Sequence, residues 1–94
     1  MENLDDLRES IDKIDRALIL LLAERFRVTQ QVGRYKWQHG LPAVDEAREQ
    51  TQFERLGRLA QEGGLNPELI YKLYRLIIDE VVENHLELQR RLSQ

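Results

Sequence analysis

Cysteine is absent from the 94 residues, so neither a disulfide framework nor thiolate chemistry is available. No apolar run approaches the roughly 20 residues needed to cross a bilayer. The longest, around Leu18–Ala23, lies inside a charged, periodic segment. A basic excess is also missing. The net charge is −3, whereas a general nucleic-acid binder carries a surplus of Lys and Arg. No glycine-rich phosphate loop, nucleophile elbow or H-E-x-x-H pattern occurs. The two histidines, His39 and His85, stand far apart without carboxylates clustered at ligand spacing, so neither a metal site nor another cofactor is expected. The acidic start Met1–Asp6 lacks the basic and apolar stretches of a signal peptide. These absences point to a cytoplasmic chain without a membrane or nucleic-acid partner.

What is present suits a small helical protein. Hydrophobic residues make up 41% and charged residues 33%, a balance of folded rather than disordered chains. The length fits one domain over residues 1–94. So short a domain buries a limited core, and oligomerisation would help it. Leu4, Leu7, Ile11, Ile14, Leu18, Leu21, Val28 and Val32 recur at helical spacing, with no Gly or Pro before Gly33. The first helix is therefore expected over about 5–38, with Gly33 tolerated inside it at some cost. His39-Gly-Leu-Pro42 breaks it. Asp45 is a candidate N-cap for a second helix over about 45–62, which Gly63-Gly64 ends. Asn66-Pro67 reads as N-cap and first position of a third helix, over about 67–92. No segment alternates like a strand, so the fold class is all-α.

Helix length carries a consequence. Some 34 residues at 1.5 Å rise span about 50 Å, while a compact chain of this size has a radius of gyration of roughly 12 Å. Helix 1 must project beyond a monomeric core and leave its apolar stripe uncovered. A homodimeric, symmetric helical bundle is the simplest remedy.

Along that stripe, position 25 is an arginine, where an unpaired charge is expensive. A lone arginine there is more often a snorkelling chain or half of an internal ion pair. Lys36 changes the balance. It follows Arg25 by eleven residues, three turns on the same face, about 16 Å away. Two long cations so placed can converge on one small anion. Arg8 lies seventeen residues before Arg25, about 25 Å away and on another face. It can serve the same ligand only from an antiparallel partner helix; taken alone it is a surface charge. Asp45, Arg48 and Glu49 share one side of the first turn of helix 2. They read either as capping with an intrahelical ion pair, or as a further cation with an acceptor for a hydroxyl. His85 falls on the apolar stripe of Ile78, Val81 and Leu88. Histidines there are usually satisfied core residues, but this one can also present an N–H to a polar pocket. His39 reads as solvated, and Tyr35, Trp37, Tyr71 and Tyr74 as packing residues.

In order and spacing, Arg8 in Leu-Arg-Glu-Ser-Ile-Asp, Arg25 in Leu-Leu-Ala-Glu-Arg, Lys36 in Val-Gly-Arg-Tyr-Lys and Asp45-x-x-Arg48-Glu49 resemble the signature of the all-α chorismate mutases. The likeness runs the length of the chain, through Leu-Ile-Ile-Asp-Glu in helix 3. It implies an intertwined homodimer of three-helix chains, acting on chorismate in aromatic amino-acid (Phe/Tyr) biosynthesis. By this resemblance Arg8, from the partner chain, and Arg25 bind the two carboxylates. Lys36 meets a carboxylate and the ether oxygen, and Arg48 adds positive field. Asp45, through its backbone, and Glu49 hold the ring hydroxyl. Val81 and His85 depart from the family's usual serine and glutamine. Val81 weakens or moves a carboxylate contact, while His85 can donate in place of the glutamine, neutral through Nε2–H or protonated.

That substrate rearranges to prephenate in one pericyclic step, with no nucleophile or obligatory proton transfer. A protein helps by holding the compact conformer and by stabilising charge developing on the ether oxygen. Arginine forks fit carboxylates bidentately. The rival readings are an isochorismate-pyruvate lyase or an aminodeoxychorismate mutase on the same scaffold, and a non-catalytic helical dimerisation or regulatory module.

Overall fold

The computed structural model describes residues 3–94, so the first two positions of the expected domain lie outside the described residues. Three helices follow one another: α1 Leu4–Gln38, α2 Glu46–Glu62 and α3 Pro67–Leu92. No strand occurs among the described residues, and no helix is long and apolar enough to cross a membrane.

Local chemistry accounts for each boundary. Asn3 accepts the Asp6 N–H at 2.9 Å, with Asp5 and Asp6 favourable in the first turn of α1. This cap starts the helix at Leu4, the first residue of the apolar series and one earlier than the expected bound of about 5. Asp45 accepts the Arg48 N–H at 3.0 Å. Since it caps α2, the helix begins at Glu46 and not at Asp45 itself. Asn66 accepts the Glu68 N–H at 3.0 Å, with Pro67 first in α3. Both α1 and α2 end in Schellman motifs. Leu41 N–H donates to the Lys36 carbonyl and Leu65 N–H to that of Ala60, each at 2.8 Å. Gly40 at φ 64° and Gly64 at φ 71° take the left-handed position these turns require.

Helix α3 is the shared element, packing against α1 on one side and α2 on the other. The buried apolar residues are few: Ala43, Leu56, Ala60, Ile78 and Leu88. At two places glycine allows a close approach. A Cβ on Gly33 would stand 2.6 Å from Cδ2 of His85, and one on Gly57 would strike the Tyr71 hydroxyl. Gly33 is thus the contact that admits α3 to α1, which explains a glycine costing a helix interior about 1 kcal/mol.

The molecule is elongated, 60 × 26 × 15 Å with a radius of gyration of 17.0 Å. Most of that length comes from α1, whose one buried residue is Gly33. Its apolar stripe stays open to solvent, with Ile14 59% and Leu21 68% exposed.

Candidate active site

Between α1 and α2, above a floor made by α3, lies a cleft of about 390 Å³. That is the size of small-molecule sites. One wall is Arg25, Val28, Thr29, Val32 and Lys36 of α1. The other is Asp45, Arg48, Glu49, Gln52 and Arg55 at and along α2. Ile78, Val81, Val82 and His85 of α3 form the floor.

Helical spacing puts Arg25 and Lys36 on one wall, as their three-turn separation requires. The Arg25 guanidinium lies over the Tyr74 ring, 5.6 Å from its centre, while its Nη1 is buried without a hydrogen-bond partner. A buried guanidinium nitrogen without an acceptor is costly, and an anionic ligand would satisfy it. Lys36 Nζ donates to the Ala43 carbonyl at 3.0 Å, tying the end of α1 to the segment before α2. Among the described residues no carboxylate pairs with Arg25, Lys36, Arg48 or Arg55. Four unpaired cations therefore surround one cleft in a chain whose net charge is negative.

Asp45 and Glu49 are the acidic exceptions to this positive lining, and Glu49 does not pair with Arg48 as an intrahelical bridge. Its Oε1 forms an ion pair with Nη2 of Arg75, on α3, at 3.0 Å. The capping half of the sequence reading is seen at Asp45, whose carboxylate is occupied by the Arg48 N–H.

His85 is buried, 3% exposed. Its Nε2 donates to the Thr29 carbonyl across to α1 at 2.8 Å, which assigns the hydrogen to that nitrogen. Nδ1 is buried and has no partner. Burial pushes the imidazole below its ordinary value of 6.5; the Thr29 carbonyl opposes this and the Lys36 charge adds to it. In the neutral form, therefore, Nδ1 offers a lone pair and no donor. The N–H expected from a neutral Nε2 is already engaged by the backbone.

Val81 is half-buried in the floor and supplies no hydroxyl. Arg8 is exposed, outside the cleft lining. His39 is exposed as well, its ring stacked on Tyr35 with centres 3.9 Å apart. The residues missed by sequence reasoning divide by kind. Gln52 and Arg55 follow Arg48 by four and seven residues, so helical spacing alone would have placed them on its face. Thr29 contributes its carbonyl, and Arg75 reaches Glu49 from another helix. Neither contact has a signature in side-chain spacing.

Fold and cleft together define an all-helical domain with a cation-lined cleft of small-molecule size. A family model described as chorismate mutase type II matches residues 7–86, and the chain belongs to that family. It is 39% identical to the T-protein of Haemophilus influenzae over 89% of this chain, though over only 22% of that protein. It is 35% identical to the bifunctional chorismate mutase/prephenate dehydratase of Aquifex aeolicus, over 99% of this chain and 25% of the relative. With the chorismate mutase of Methanocaldococcus jannaschii it shares 30% identity, over 84% of this chain and 80% of the other. The chain thus spans about a quarter or less of the first two proteins and most of the third.

Proposed function

We propose that this chain is a chorismate mutase, converting chorismate to prephenate in aromatic amino-acid biosynthesis, as one catalytic domain in a cytoplasmic homodimer. The observation that carries the reading is the convergence of Arg25, Lys36 and Arg48 on one cleft, with the Arg25 Nη1 buried and unpaired. The rearrangement breaks a C–O bond as a C–C bond forms and needs only a held conformer and a stabilised ether oxygen. Arg25 takes one carboxylate, and the partner subunit's Arg8 takes the other. Lys36 turns its ammonium from the Ala43 carbonyl towards a carboxylate and the ether oxygen. Arg48 raises the positive field, while Asp45, by its backbone, and Glu49 hold the ring hydroxyl.

His85 enters this scheme conditionally. With Nε2–H committed to Thr29, only Nδ1 remains to face a ligand. It becomes a donor to the ether oxygen when the ring is protonated. Two lone pairs facing each other would repel, so the neutral ring would hinder and the imidazolium assist. Val81 leaves the second carboxylate to the cations.

The dimer is supported by the exposed stripe of α1 and the 17.0 Å radius of gyration. A second copy lying antiparallel covers Leu7, Ile11, Ile14 and Leu18 and carries its Arg8 towards this cleft. The lyase reading is kept in play by Val81 and His85, since contacts at the cleft floor set substrate choice. Incubation with chorismate and, separately, isochorismate tests both. Prephenate from chorismate is the expected result. Salicylate and pyruvate from isochorismate, without prephenate, would make the chain a lyase.

A further inference from the structure

We propose that Arg75, braced by Asp79, is a positioning residue that sets the carboxylate of Glu49 and so governs how the cleft holds a ligand hydroxyl. This rests on the reading of the cleft as a chorismate site. Arg75 does not line the cleft; it lies behind Glu49, on the groove formed with Phe53, Tyr71 and Leu76. From there Nη2 binds Glu49 Oε1 at 3.0 Å. Arg75 is itself held by Asp79 Oδ1, through Nε at 2.8 Å and Nη2 at 2.7 Å. Its guanidinium also lies over the Phe53 ring of α2, 5.4 Å from the centre. Three contacts from two helices thus fix a side chain that is otherwise half exposed.

The arrangement solves an electrostatic problem of this site. Arg25, Lys36, Arg48 and Arg55 line the same cleft as Glu49. A free carboxylate among them would collapse onto one of these cations and occupy the place of the anionic ligand. A cation outside the cleft satisfies Glu49 from behind. One oxygen is then engaged, the carboxylate plane is set, and Oε2 keeps its lone pairs for a hydroxyl donor. An exposed ion pair of this kind adds little to stability, so its effect is expected in ligand geometry.

The test is a set of variants assayed for chorismate turnover and melting temperature: Arg75→Ala, Arg75→Lys, Asp79→Asn, Glu49→Gln, and Arg75→Ala combined with Glu49→Gln. Arg75→Ala is expected to lower kcat/KM about tenfold, the scale of one charge-assisted hydrogen bond. Arg75→Lys, which keeps a cation, restores part of that loss. In the Glu49→Gln background Arg75→Ala should cost no more than about twofold further, because the group it positions has changed. If the two losses multiply, or if Arg75→Ala turns over normally, Arg75 does not act through Glu49 and the proposal is overturned. Should Arg75→Ala fail to fold, Asp79→Asn combined with Glu49→Gln carries the same comparison with a smaller effect. Failure of the wild-type chain to convert chorismate would remove the functional reading and this inference with it. Turnover with multiplying losses removes the inference alone.

Discussion

The C-terminal half of α1 and its N-terminal half carry the same apolar rhythm in different surroundings. Between residues 25 and 38 the helix lies against α3, Gly33 is buried under the His85 ring, and Arg25 and Lys36 wall the cleft. Between residues 4 and 21, Leu4, Leu7, Ile11, Ile14, Leu18 and Leu21 are exposed. The difference is one of partners, since α2 and α3 are too short to cover a helix of 35 residues. It teaches that an apolar stripe records what a helix can bury, and not which chain buries it.

The largest expected effect is on the covered half. Lys36→Ala removes a preorganised cation from the cleft and should lower kcat/KM by roughly 10²–10³-fold. Near-normal turnover of chorismate in that variant would sink the assignment. The uncovered half is tested through Arg8. Arg8→Ala should lose about 10–100-fold, the cost of one or two charge-assisted bonds. Mixing it, after unfolding and refolding together, with Lys36→Ala should restore about a quarter of the wild-type sites, since half the dimers are hybrid with one intact site each. No recovery would place Arg8 outside the partner's site.

A pair of substitutions sharpens the contrast in stability. Gly33→Ala forces a Cβ against the His85 ring and should cost about 1–3 kcal/mol on denaturant unfolding, with activity falling alongside. Leu18→Glu touches no covered surface of the single chain, yet it should halve the mass in sedimentation equilibrium if a second copy seats there. A Leu18→Glu protein of unchanged dimeric mass would remove that copy from this face.

The smallest effect is that of pH. The folded-state value of His85 lies below the unfolded 6.5, so the unfolded chain binds more protons in that window. Stability should therefore fall as pH drops below about 6.5, levelling off beneath the folded value. Activity should move the opposite way if Nδ1 donates as imidazolium: kcat/KM rises as pH falls through the folded value, until the substrate or other groups titrate. His85→Gln should flatten both profiles. A wild-type rate independent of pH between about 5 and 8 would leave His85 a structural residue.

Much of this was legible in one dimension. The three helices follow from 3.6-residue periodicity, and their ends from Asp45, Asn66, Gly40 and Gly64, because caps and turns are satisfied by neighbours within five residues. The shared wall of Arg25 and Lys36 was legible too, since eleven residues make three turns. The cap at Asn3 was overlooked although Asn is a good N-cap, because the apolar rhythm starts after it. The partner that Glu49 takes, Arg75, has no signature in the spacing of the Asp45–Glu49 turn. No Lys or Arg lies three or four residues from Glu49 along α2, and spacing within one helix says nothing about a cation arriving from α3.

By itself the sequence determined helix positions, the excess length of α1 and the face on which its cations lie. Each of these depends on the regular geometry of a single helix. Tertiary structure alone decided that His85 gives its Nε2–H to Thr29, 56 residues away, that Gly33 makes room for it, and that Arg75 reaches Glu49. Those contacts depend on how helices cross, which many side chains set together and no spacing along the chain encodes.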